Sequence, residues 1–351
     1  MQQHAATSNA WFMPAEWVPH AATWMVWPHN QALWESAWGV TLADVQLDFA
    51  RVANTIARFE PVKMVVDPSA TYRARELCGA NVELIELAVD DSWCRDSGPS
   101  FICHPQLGLA GVSWRFNAWG GKSEHGLDES LARRILNGLG LECFGTPLSN
   151  EGGAIHVDGE GTLITTESVL LNPNRNPGVS KREMEDIFAR LLGVNKTIWL
   201  PGDPDHVTGD MTDGHVDGVC AFARPGALLV DATRDQGSVY AEVVRENRRA
   251  LRLASDAKGR QFELLELFEA TEAVDSEAEV FCASYTNFYI CNGAIIMPAY
   301  GIAADEEAAA TLRLAFPGRE VVPVRINQLA HGGGGVHCIT QQQPAWPQGA
   351  K

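Results

Sequence analysis

The sequence predicts an α/β fold in which one unit of strands plus a helix recurs along the chain. Short apolar segments come in pairs with a polar cluster between them, and segments with helical apolar periodicity separate successive pairs. No predicted strand leads into a Gly-rich phosphate-binding loop, which argues against a doubly wound nucleotide-binding sheet. Because no Pro-, Ser- or charge-rich linker divides the 351 residues, we expect a single domain over residues 1–351.

The first part of the chain predicts two strands and two helices in alternation. Segment 21–28 is an apolar strand ending at Pro28, and apolar residues at helical spacing predict a helix from Leu42 to Phe59. A second strand follows at Val62–Val66, and a second helix ends at Gly79. We expect most of the six tryptophans in this part to pack in the core rather than line a pocket: Trp11, Trp17, Trp24, Trp27, Trp34 and Trp38.

After residue 80 the paired pattern recurs five times. The entering and leaving segments of the pairs are 82–89 with 100–104, 141–148 with 154–157 and 162–171, 196–202 with 219–230, 279–287 with 288–301, and 319–335 with 336–340. Helices are expected between them at 129–140, 180–193, 240–254 and 305–316. Polar clusters at the strand ends of a repeated fold are expected to meet in space.

Composition and charge exclude several classes of function. The formal net charge is −17, which argues against a nucleic-acid partner and suits a small cationic substrate. No apolar run is long enough to span a membrane, and no secretory leader is recognisable at the start, so we expect a cytoplasmic protein. The eight cysteines form no C-x-x-C pair and are expected to be free thiols in a reducing compartment.

The most informative segment lies near the C-terminus, where four glycines, Gly332 to Gly335, precede His337 and Cys338. Glycine allows a ligand to approach the backbone closely, and we expect Ile339 and Thr340 to form a short strand behind the thiol. A cysteine in this setting is a candidate nucleophile if an acid/base and a charge-stabilising group meet it. The alternative is a small buried apolar residue, as most free cysteines are.

Three further polar clusters follow predicted strands. The first spans Asp90 to Gly98 and contains Trp93 and Asp96, and the second is Asn150 to Gly153 with Glu151 beside paired glycines. A solvated turn explains most of the first cluster, although a Trp beside Arg and Asp is unusual in a plain turn, and a hairpin turn explains the second cluster equally well. The third cluster, Asp210 to Asp217, is the most specific of the three.

In the third cluster His215 and Asp217 are two residues apart, so on a strand both side chains face the same way. An imidazole beside a carboxylate is suited to acid/base work near neutral pH. A metal site is the rival interpretation, but H-x-D without a second histidine motif is poor zinc spacing. We therefore predict no metal at this cluster.

Taken together, Cys338, His215 and the carboxylates Asp96, Asp217 and Glu151 favour a cationic, planar electrophile rich in N–H groups. A guanidinium fits this description, because carboxylates accept its N–H pairs in bidentate fashion. The thiolate would attack the central carbon, and His215 would protonate the departing ammonia and then activate water.

The same residues lie in motifs that resemble the agmatine deiminase family, a branch of the guanidino-group-modifying enzymes that also holds bacterial peptidylarginine deiminases. The resemblance covers about residues 11–345, the expected catalytic core. The matching motifs are MPAEW at 13–17, SWCRDSGP at 92–99, FNAWGGK at 116–122, EGGAIHVDGEGT at 151–162, LLNPNRNP at 170–177, DGHVD at 213–217 and GGGGVHCITQQQP at 332–344.

The resemblance implies a five-bladed α/β-propeller, the pentein fold, which agrees with the recurring unit. It also implies hydrolysis of agmatine to N-carbamoylputrescine and ammonia without a cofactor, by a homo-oligomer (a dimer or higher). Carried over by motif, Cys338 is the nucleophile, His215 the general acid/base, and Asp96 and Asp217 the guanidinium-binding carboxylates. The implied substrate-binding residues are Trp93, Glu151, Gly333, Gly334 and Gly335.

The sequence departs from the family pattern at three positions. Cys94 and Gly335 stand where the family usually has Met and Asn. Met211 stands where the family commonly has a Glu that holds the ammonium tail of agmatine. We expect Asp213, or else Asp210, to supply the missing charge, unless the true substrate lacks a primary amine.

Three alternatives to an agmatine deiminase follow. The first is a deiminase of another guanidino compound, such as arginine, peptidyl-arginine or an alkylguanidine. The second is an amidinotransferase, in which an amine replaces water. The third is a non-catalytic guanidinium-binding module with an inert thiol.

Overall fold

The computed structural model describes residues 10–274 and 280–347, and its strands form five separate sheets. The strands are β1 (His20–Val26), β2 (Val62–Val66), β3 (Val82–Glu86), β4 (Ser100–His104), β5 (Gly108–Arg115), β6 (Glu142–Ser149), β7 (Ile155–Val157), β8 (Thr162–Thr166), β9 (Lys196–Leu200), β10 (Cys220–Arg224), β11 (Ala227–Ala232), β12 (Glu263–Phe268), β13 (Tyr289–Cys291), β14 (Ala294–Ala299), β15 (Glu320–Arg325) and β16 (Gln341–Pro344).

Four of the sheets have the same construction. In each, two consecutive strands pair antiparallel, and a third strand then joins parallel to the second: β4-β5-β6, β7-β8-β9, β10-β11-β12 and β13-β14-β15. A helix connects the second strand to the third, as a parallel pairing requires. The predicted α/β fold with a recurring unit of strands and a helix is confirmed in these four sheets.

The fifth sheet joins the two ends of the chain. Its order is β16-β1-β2-β3, and β16 pairs antiparallel with β1, with Trp24 opposite Gln341. The sheet that the first strand begins is therefore completed by the last strand, directly after Cys338.

The helices cover the sheets and follow the apolar periodicity of the sequence. They are α1 (Leu42–Ile56), α2 (Thr71–Leu77), α3 (Cys94–Ser97), α4 (Ala118–Gly121), α5 (Leu131–Gly138), α6 (Glu167–Leu170), α7 (Lys181–Leu192), α8 (Val239–Leu253), α9 (Ala304–Ala315) and α10 (Asn327–Ala330). Helix α7 begins at a capping box of Ser180 and Glu183 and ends at Gly193 in the left-handed conformation, which explains its sharp bounds. No helix within the described ranges is both long and apolar enough to cross a membrane.

The expected helices and most of the expected strands are confirmed within a few residues, as is the packing of the tryptophans. Trp24, Trp27 and Trp34 are buried, and the other three pack against the apolar clusters of the core. All eight cysteines are free thiols.

Two strand predictions are wrong, and the strands β5 and β12 were missed. Ile339 and Thr340 lie in a turn, in which the Thr340 N–H donates to the His337 carbonyl at 3.1 Å, and the strand begins only at Gln341. The expected strand at 279–287 is absent from residues 280–287, and Glu279 lies outside the described residues. Strand β12, which was not predicted, fills the third position of its sheet beside β11.

Candidate active site

The turn that carries Cys338 is fixed by the side chain of Asn287. The Asn287 carboxamide oxygen accepts the backbone N–H groups of His337 and Cys338 at 3.0 and 3.2 Å, and its NH₂ group lies 3.2 Å from the Cys338 sulfur. One amide therefore holds the backbone of the turn and the thiol at the same time, so the thiol has a single defined position.

The glycines before the turn are required by close packing. A Cβ at Gly334 would lie 2.3 Å from the ring of Trp93, and one at Gly335 would lie 2.7 Å from the Asn287 oxygen. Gly333 has a φ of 81° and is the one of these three glycines that lines the cavity described below. The absence of side chains at Gly334 and Gly335 thus leaves the space that Trp93 and Asn287 occupy.

The Cys338 thiol lies among carboxylates. Its sulfur is 3.6 Å from an oxygen of Asp217. Burial raises the pKa of the thiol well above its usual value, and the charges of Asp217 and Asp96 raise it further. In the free protein the thiol is therefore neutral, and a cation placed among these carboxylates would favour the thiolate.

Asp217 belongs to a buried chain of charged groups behind the thiol. Its carboxylate lies 2.9 Å from Nδ1 of His337, whose Nε2 lies 3.0 Å from Glu16. Burial acts to lower the pKa of His337, but the charge of Glu16 and the hydrogen bonds to Glu16 and Asp217 outweigh it, so the pKa is raised. His337 is accordingly an imidazolium that keeps Asp217 ionised and oriented.

Glu16, His156 and His337 form the one cluster within the described ranges whose donor atoms are spaced like metal ligands. The Arg95 guanidinium lies 3.2 Å from Glu16, and its positive charge opposes a cation at this place. The chemistry of the cluster fits a buried ion-pair network better than a metal centre.

His215 follows Gly214 and begins a short 3-10 turn, Val216–Gly218. The expectation that His215 and Asp217 share one face of a strand is therefore wrong. Both nevertheless reach the same place, because a Cβ at Gly153 would lie 2.6 Å from His215 Nδ1 and 2.9 Å from Asp217 Oδ2. The absence of a side chain at Gly153 is what lets the two groups approach.

The carboxylates around His215 keep it charged. Its Nε2 lies 3.4 Å from Glu151, and its Nδ1 lies 3.9 Å from Asp96 with no hydrogen-bond partner of its own. Burial alone would lower the pKa of His215, but Asp96 and Glu151 outweigh burial and raise the pKa to about 9. At neutral pH the group is an imidazolium with a free N–H, which is the state that a general acid needs.

Asp96 is held by two N–H donors. The Trp119 indole and the Gly153 backbone N–H each donate to its carboxylate at 2.9 Å. Burial raises the pKa of Asp96, as do the neighbouring carboxylates Asp217 and Glu151, although His215 opposes the rise. A fixed carboxylate that lacks a strong cationic partner is ready to pair with a cationic ligand.

Glu151 and Asp213 are placed differently from the expectation. Glu151 is fully buried and bound to the Arg175 guanidinium at 3.0 Å, so it positions His215 rather than lining the cavity. Asp213 contacts Arg175 as well and lies 2.7 Å from Lys122. Because two cations of the protein already neutralise Asp213, it is unsuited to hold the ammonium tail of a substrate.

A cavity of about 470 Å³ opens at these groups. Its wall includes Cys338, His215, Asp217, Asn287 and Gly333, and a further group of acidic and hydroxyl residues adjoins them. Trp93 is 5% exposed and packs against the rings of Trp34 and Trp38 in tilted and edge-to-face contacts behind this wall. The arrangement suits a covalent reaction of a cation with a thiol under acid/base assistance.

Several residues that shape the site received no role from the sequence. His337 stood beside the predicted nucleophile, Glu16 lies in MPAEW, Trp119 and Lys122 lie in FNAWGGK, and Arg175 lies in LLNPNRNP. Membership in these motifs was the signal that could have found them. Asn287 gave no such signal.

Comparisons with known proteins agree with the site. The sequence pattern of the Porphyromonas-type peptidyl-arginine deiminase family matches residues 12–344. An agmatine deiminase of Ectopseudomonas mendocina is 41% identical over 368 residues, covering 98% of each chain, and one of Medicago truncatula is 38% identical over 379 residues, covering 98% of this chain and 99% of the other.

The comparison of structures gives the same result. An agmatine deiminase of Enterococcus faecalis superimposes with a TM-score of 0.89 at 32% identity, covering 96% of each chain. The pentein fold predicted from the resemblance is thereby confirmed. The chain therefore belongs to the Porphyromonas-type peptidyl-arginine deiminase family and, within it, groups with the agmatine deiminases.

Proposed function

We propose that the protein is an agmatine deiminase, which hydrolyses the guanidinium of agmatine to N-carbamoylputrescine and ammonia. The observation that carries the proposal is the meeting of the Cys338 thiol, the charged His215 and the Asp217 carboxylate on the wall of one cavity. The agmatine deiminases of Ectopseudomonas mendocina and Enterococcus faecalis support the choice of substrate.

Binding of the substrate brings a cation among buried carboxylates. Asp96 and Asp217 accept N–H groups of the guanidinium, whose planar faces leave its central carbon open to the sulfur. The positive charge offsets the repulsion that raises the pKa of the Cys338 thiol. Binding therefore lowers the pKa of the thiol, which loses its proton to solvent and becomes the nucleophile.

The reaction then proceeds in two halves. The Cys338 thiolate forms a C–S bond to the guanidinium carbon, and one C–N bond breaks as His215 gives its proton to the departing ammonia. Water next loses a proton to His215 and adds to the same carbon. The C–S bond breaks, which releases N-carbamoylputrescine and restores the thiol. The sum is agmatine plus water giving N-carbamoylputrescine and ammonia.

The test is ammonia release from four substrates: agmatine, arginine, a peptidyl-arginine and methylguanidine. Cys338→Ala serves as the blank. We expect selective turnover of agmatine, abolished in the Cys338→Ala protein while agmatine binding by calorimetry persists. Substantial ammonia release by that variant would contradict the covalent mechanism, and absence of turnover of all four substrates by the natural chain would contradict the function.

A second candidate is a deiminase of arginine, peptidyl-arginine or an alkylguanidine at the same site. The observations that favour it are Met211 at the position of the family's tail-binding Glu and the neutralisation of Asp213 by Lys122 and Arg175. Higher kcat/KM for one of these compounds than for agmatine would decide for this candidate.

We further propose that residues 1–351 form one catalytic domain of a cytoplasmic homo-oligomer, a dimer or higher, with no nucleic-acid partner. The net charge of −17 supports the last point. Light scattering of the purified chain tests the oligomeric state.

A further inference from the structure

The ammonium tail of agmatine requires an anionic partner. Neither Asp213 nor Asp210, the two residues expected to bind it, is suited to that role. Met211 is uncharged and packs against the apolar core, and Asp213 is bound to Lys122 and Arg175. The carboxylate of Asp210 is occupied by its own loop, since it accepts from the Thr212 and Gly214 N–H groups at 2.9 and 3.0 Å. The anionic partner of the tail must therefore lie elsewhere on the cavity wall.

Asp231, at the end of β11, lines the same cavity as Cys338. Its side chain is 3% exposed, and no nitrogen of a Lys, Arg or His within the described ranges lies within ion-pair distance of it. Burying a carboxylate without a cation costs free energy, because the charge loses its hydration and gains no opposite charge. Such a group inside a substrate cavity is suited to meet a cation that arrives with the substrate.

Two hydroxyl groups hold Asp231 in position. The Tyr240 hydroxyl, on α8, donates to Oδ2, and the Ser284 hydroxyl donates to Oδ1 at 2.9 Å. A carboxylate has about four acceptor positions, so about two remain for a ligand. The carboxylate is thus oriented but not saturated.

Other charged groups on the cavity wall do not cancel Asp231. Arg248 also lines the cavity, and its charge lowers the pKa of Asp231, but its guanidinium is paired with Glu266 and makes no ion pair with Asp231. Glu269 is a second carboxylate on the wall and adds to the negative potential. This part of the cavity therefore attracts a cation.

A short chain of hydrogen bonds connects Asp231 to the catalytic residues. Ser284, which holds Asp231, lies 2.6 Å from the Thr286 hydroxyl, and that hydroxyl lies 3.4 Å from the backbone carbonyl of Asp217. The carboxylate is therefore only a few hydrogen-bond lengths from the residue that contacts the thiol. Agmatine carries its ammonium four methylene groups from its guanidinium, a separation of the same order.

We propose that Asp231, oriented by Tyr240 and Ser284, binds the primary ammonium at the tail of the substrate and so restricts this site to aminoalkylguanidines. The inference rests on the proposed function and names its specificity-determining residue. Asp231, on β11, thus carries the charge that the family usually places at the position of Met211.

The protonation of Asp231 gives the proposal a pH signature. Burial and the charge of Glu269 raise the pKa of its carboxyl to about 7, although the hydrogen bonds from Tyr240 and Ser284 and the charge of Arg248 act to lower it. Below pH 7 the carboxyl is neutral in the free protein, and it must lose its proton to pair with an ammonium. KM for agmatine is therefore expected to fall as the pH rises through 7. KM for a guanidine without an amine should not show this fall, because it has no ammonium to pair with Asp231.

The experiment compares agmatine with butylguanidine, which has the same four carbons and no amine. In Asp231→Asn we expect kcat/KM for agmatine to fall by about 10- to 100-fold, the usual effect of losing a charged hydrogen-bond partner, with butylguanidine changed less than about threefold. Asp231→Glu, which keeps the charge, should recover part of the loss. Asp235→Asn, an exposed carboxylate on the loop after the same strand, is the matched control and should change neither substrate.

Equal losses for both substrates, with no recovery in Asp231→Glu, would overturn the proposal and leave Asp231 a structural residue. Unchanged kinetics with agmatine in Asp231→Asn would overturn it as well. These outcomes differ from failure of the proposed function, in which the natural chain itself does not turn over agmatine.

Discussion

Asp217→Asn is expected to change two properties of the protein in opposite directions. Asp217 lies 3.6 Å from the Cys338 sulfur, where its charge both attracts a guanidinium and opposes ionisation of the thiol. Replacing the carboxylate by an amide removes both effects. Deimination should fall, whereas alkylation of Cys338 by neutral iodoacetamide should become faster.

The size of the second effect follows from the distance. Two unit charges 3.6 Å apart interact by about 4–5 kcal/mol at an effective dielectric constant of about 20. Because about 1.4 kcal/mol corresponds to tenfold, removing the repulsion raises the thiolate population at neutral pH by at most about 10³-fold. A less basic thiolate is a weaker nucleophile, which cancels about half of this gain on a logarithmic scale. Alkylation should therefore accelerate by about 10- to 50-fold.

The assay is timed labelling with iodoacetamide at pH 7.5, followed by peptide mass spectrometry of the Cys338 peptide, with ammonia release measured on the same samples. Asp210→Asn is the control, because Asp210 lines the same cavity but its charge is held by its own loop. That variant should label at the rate of the natural chain.

Slower or unchanged labelling of Cys338 in Asp217→Asn would refute the reasoning, because it would mean that the Asp217 charge does not hold the thiol protonated. Turnover of agmatine by Asp217→Asn at the rate of the natural chain would refute the second part of the reasoning, that Asp217 binds the guanidinium.

Two more predictions concern charge at and behind the site. Because the pKa of His215 is raised to about 9, its acid form is present below that pH and is lost above it, so kcat/KM for agmatine should decline above about pH 9 in a profile from pH 6 to 10. A constant kcat/KM up to pH 10 would exclude His215 as the acid. Arg175→Gln leaves Glu151 and Asp213 without their shared cation and should lower the free energy of unfolding by about 3–5 kcal/mol in urea, whereas the exposed control Arg182→Gln should change it by less than about 0.5 kcal/mol. Similar losses in both variants would contradict a buried charge network.

The repeated fold could be predicted because its elements are short and have clear apolar periods. Strand β2 has the predicted bounds, and α7 carries its stop and start signals in Ser180, Glu183 and Gly193. Strand β12 was missed, because residues 263–268 lack the strict apolar/polar alternation that indicates a strand, and only the parallel pairing with β11 shows them to be one. The segment after Glu279 is rich in apolar residues, which predicts a strand. In the structure, residues from Val280 onward line the cavity and do not pair with another strand.

The site was predictable only as far as its motifs extend. Cys338, His215 and Asp217 stand in recognisable patterns, and the fold brings them together. Asn287 and Asp231 could not be found in this way, because each acts through contacts with residues about 50 positions away, to Cys338 and Ser284. A sequence pattern also cannot show that Asp213 is neutralised, because its partners Lys122 and Arg175 lie far from it in the chain.

The pairing of β16 with β1 sets the order in which the molecule can be completed during synthesis. Four sheets consist of strands that are consecutive in the chain, so each can form as soon as its own segment leaves the ribosome. The fifth sheet waits for Gln341–Pro344, and the cysteine turn just before it is held between Asn287 and this last strand. A nascent chain thus gains its reactive thiol in place only after the residues from β1 through Pro344 have been made. Premature termination therefore yields a chain without a working site rather than a partly active one.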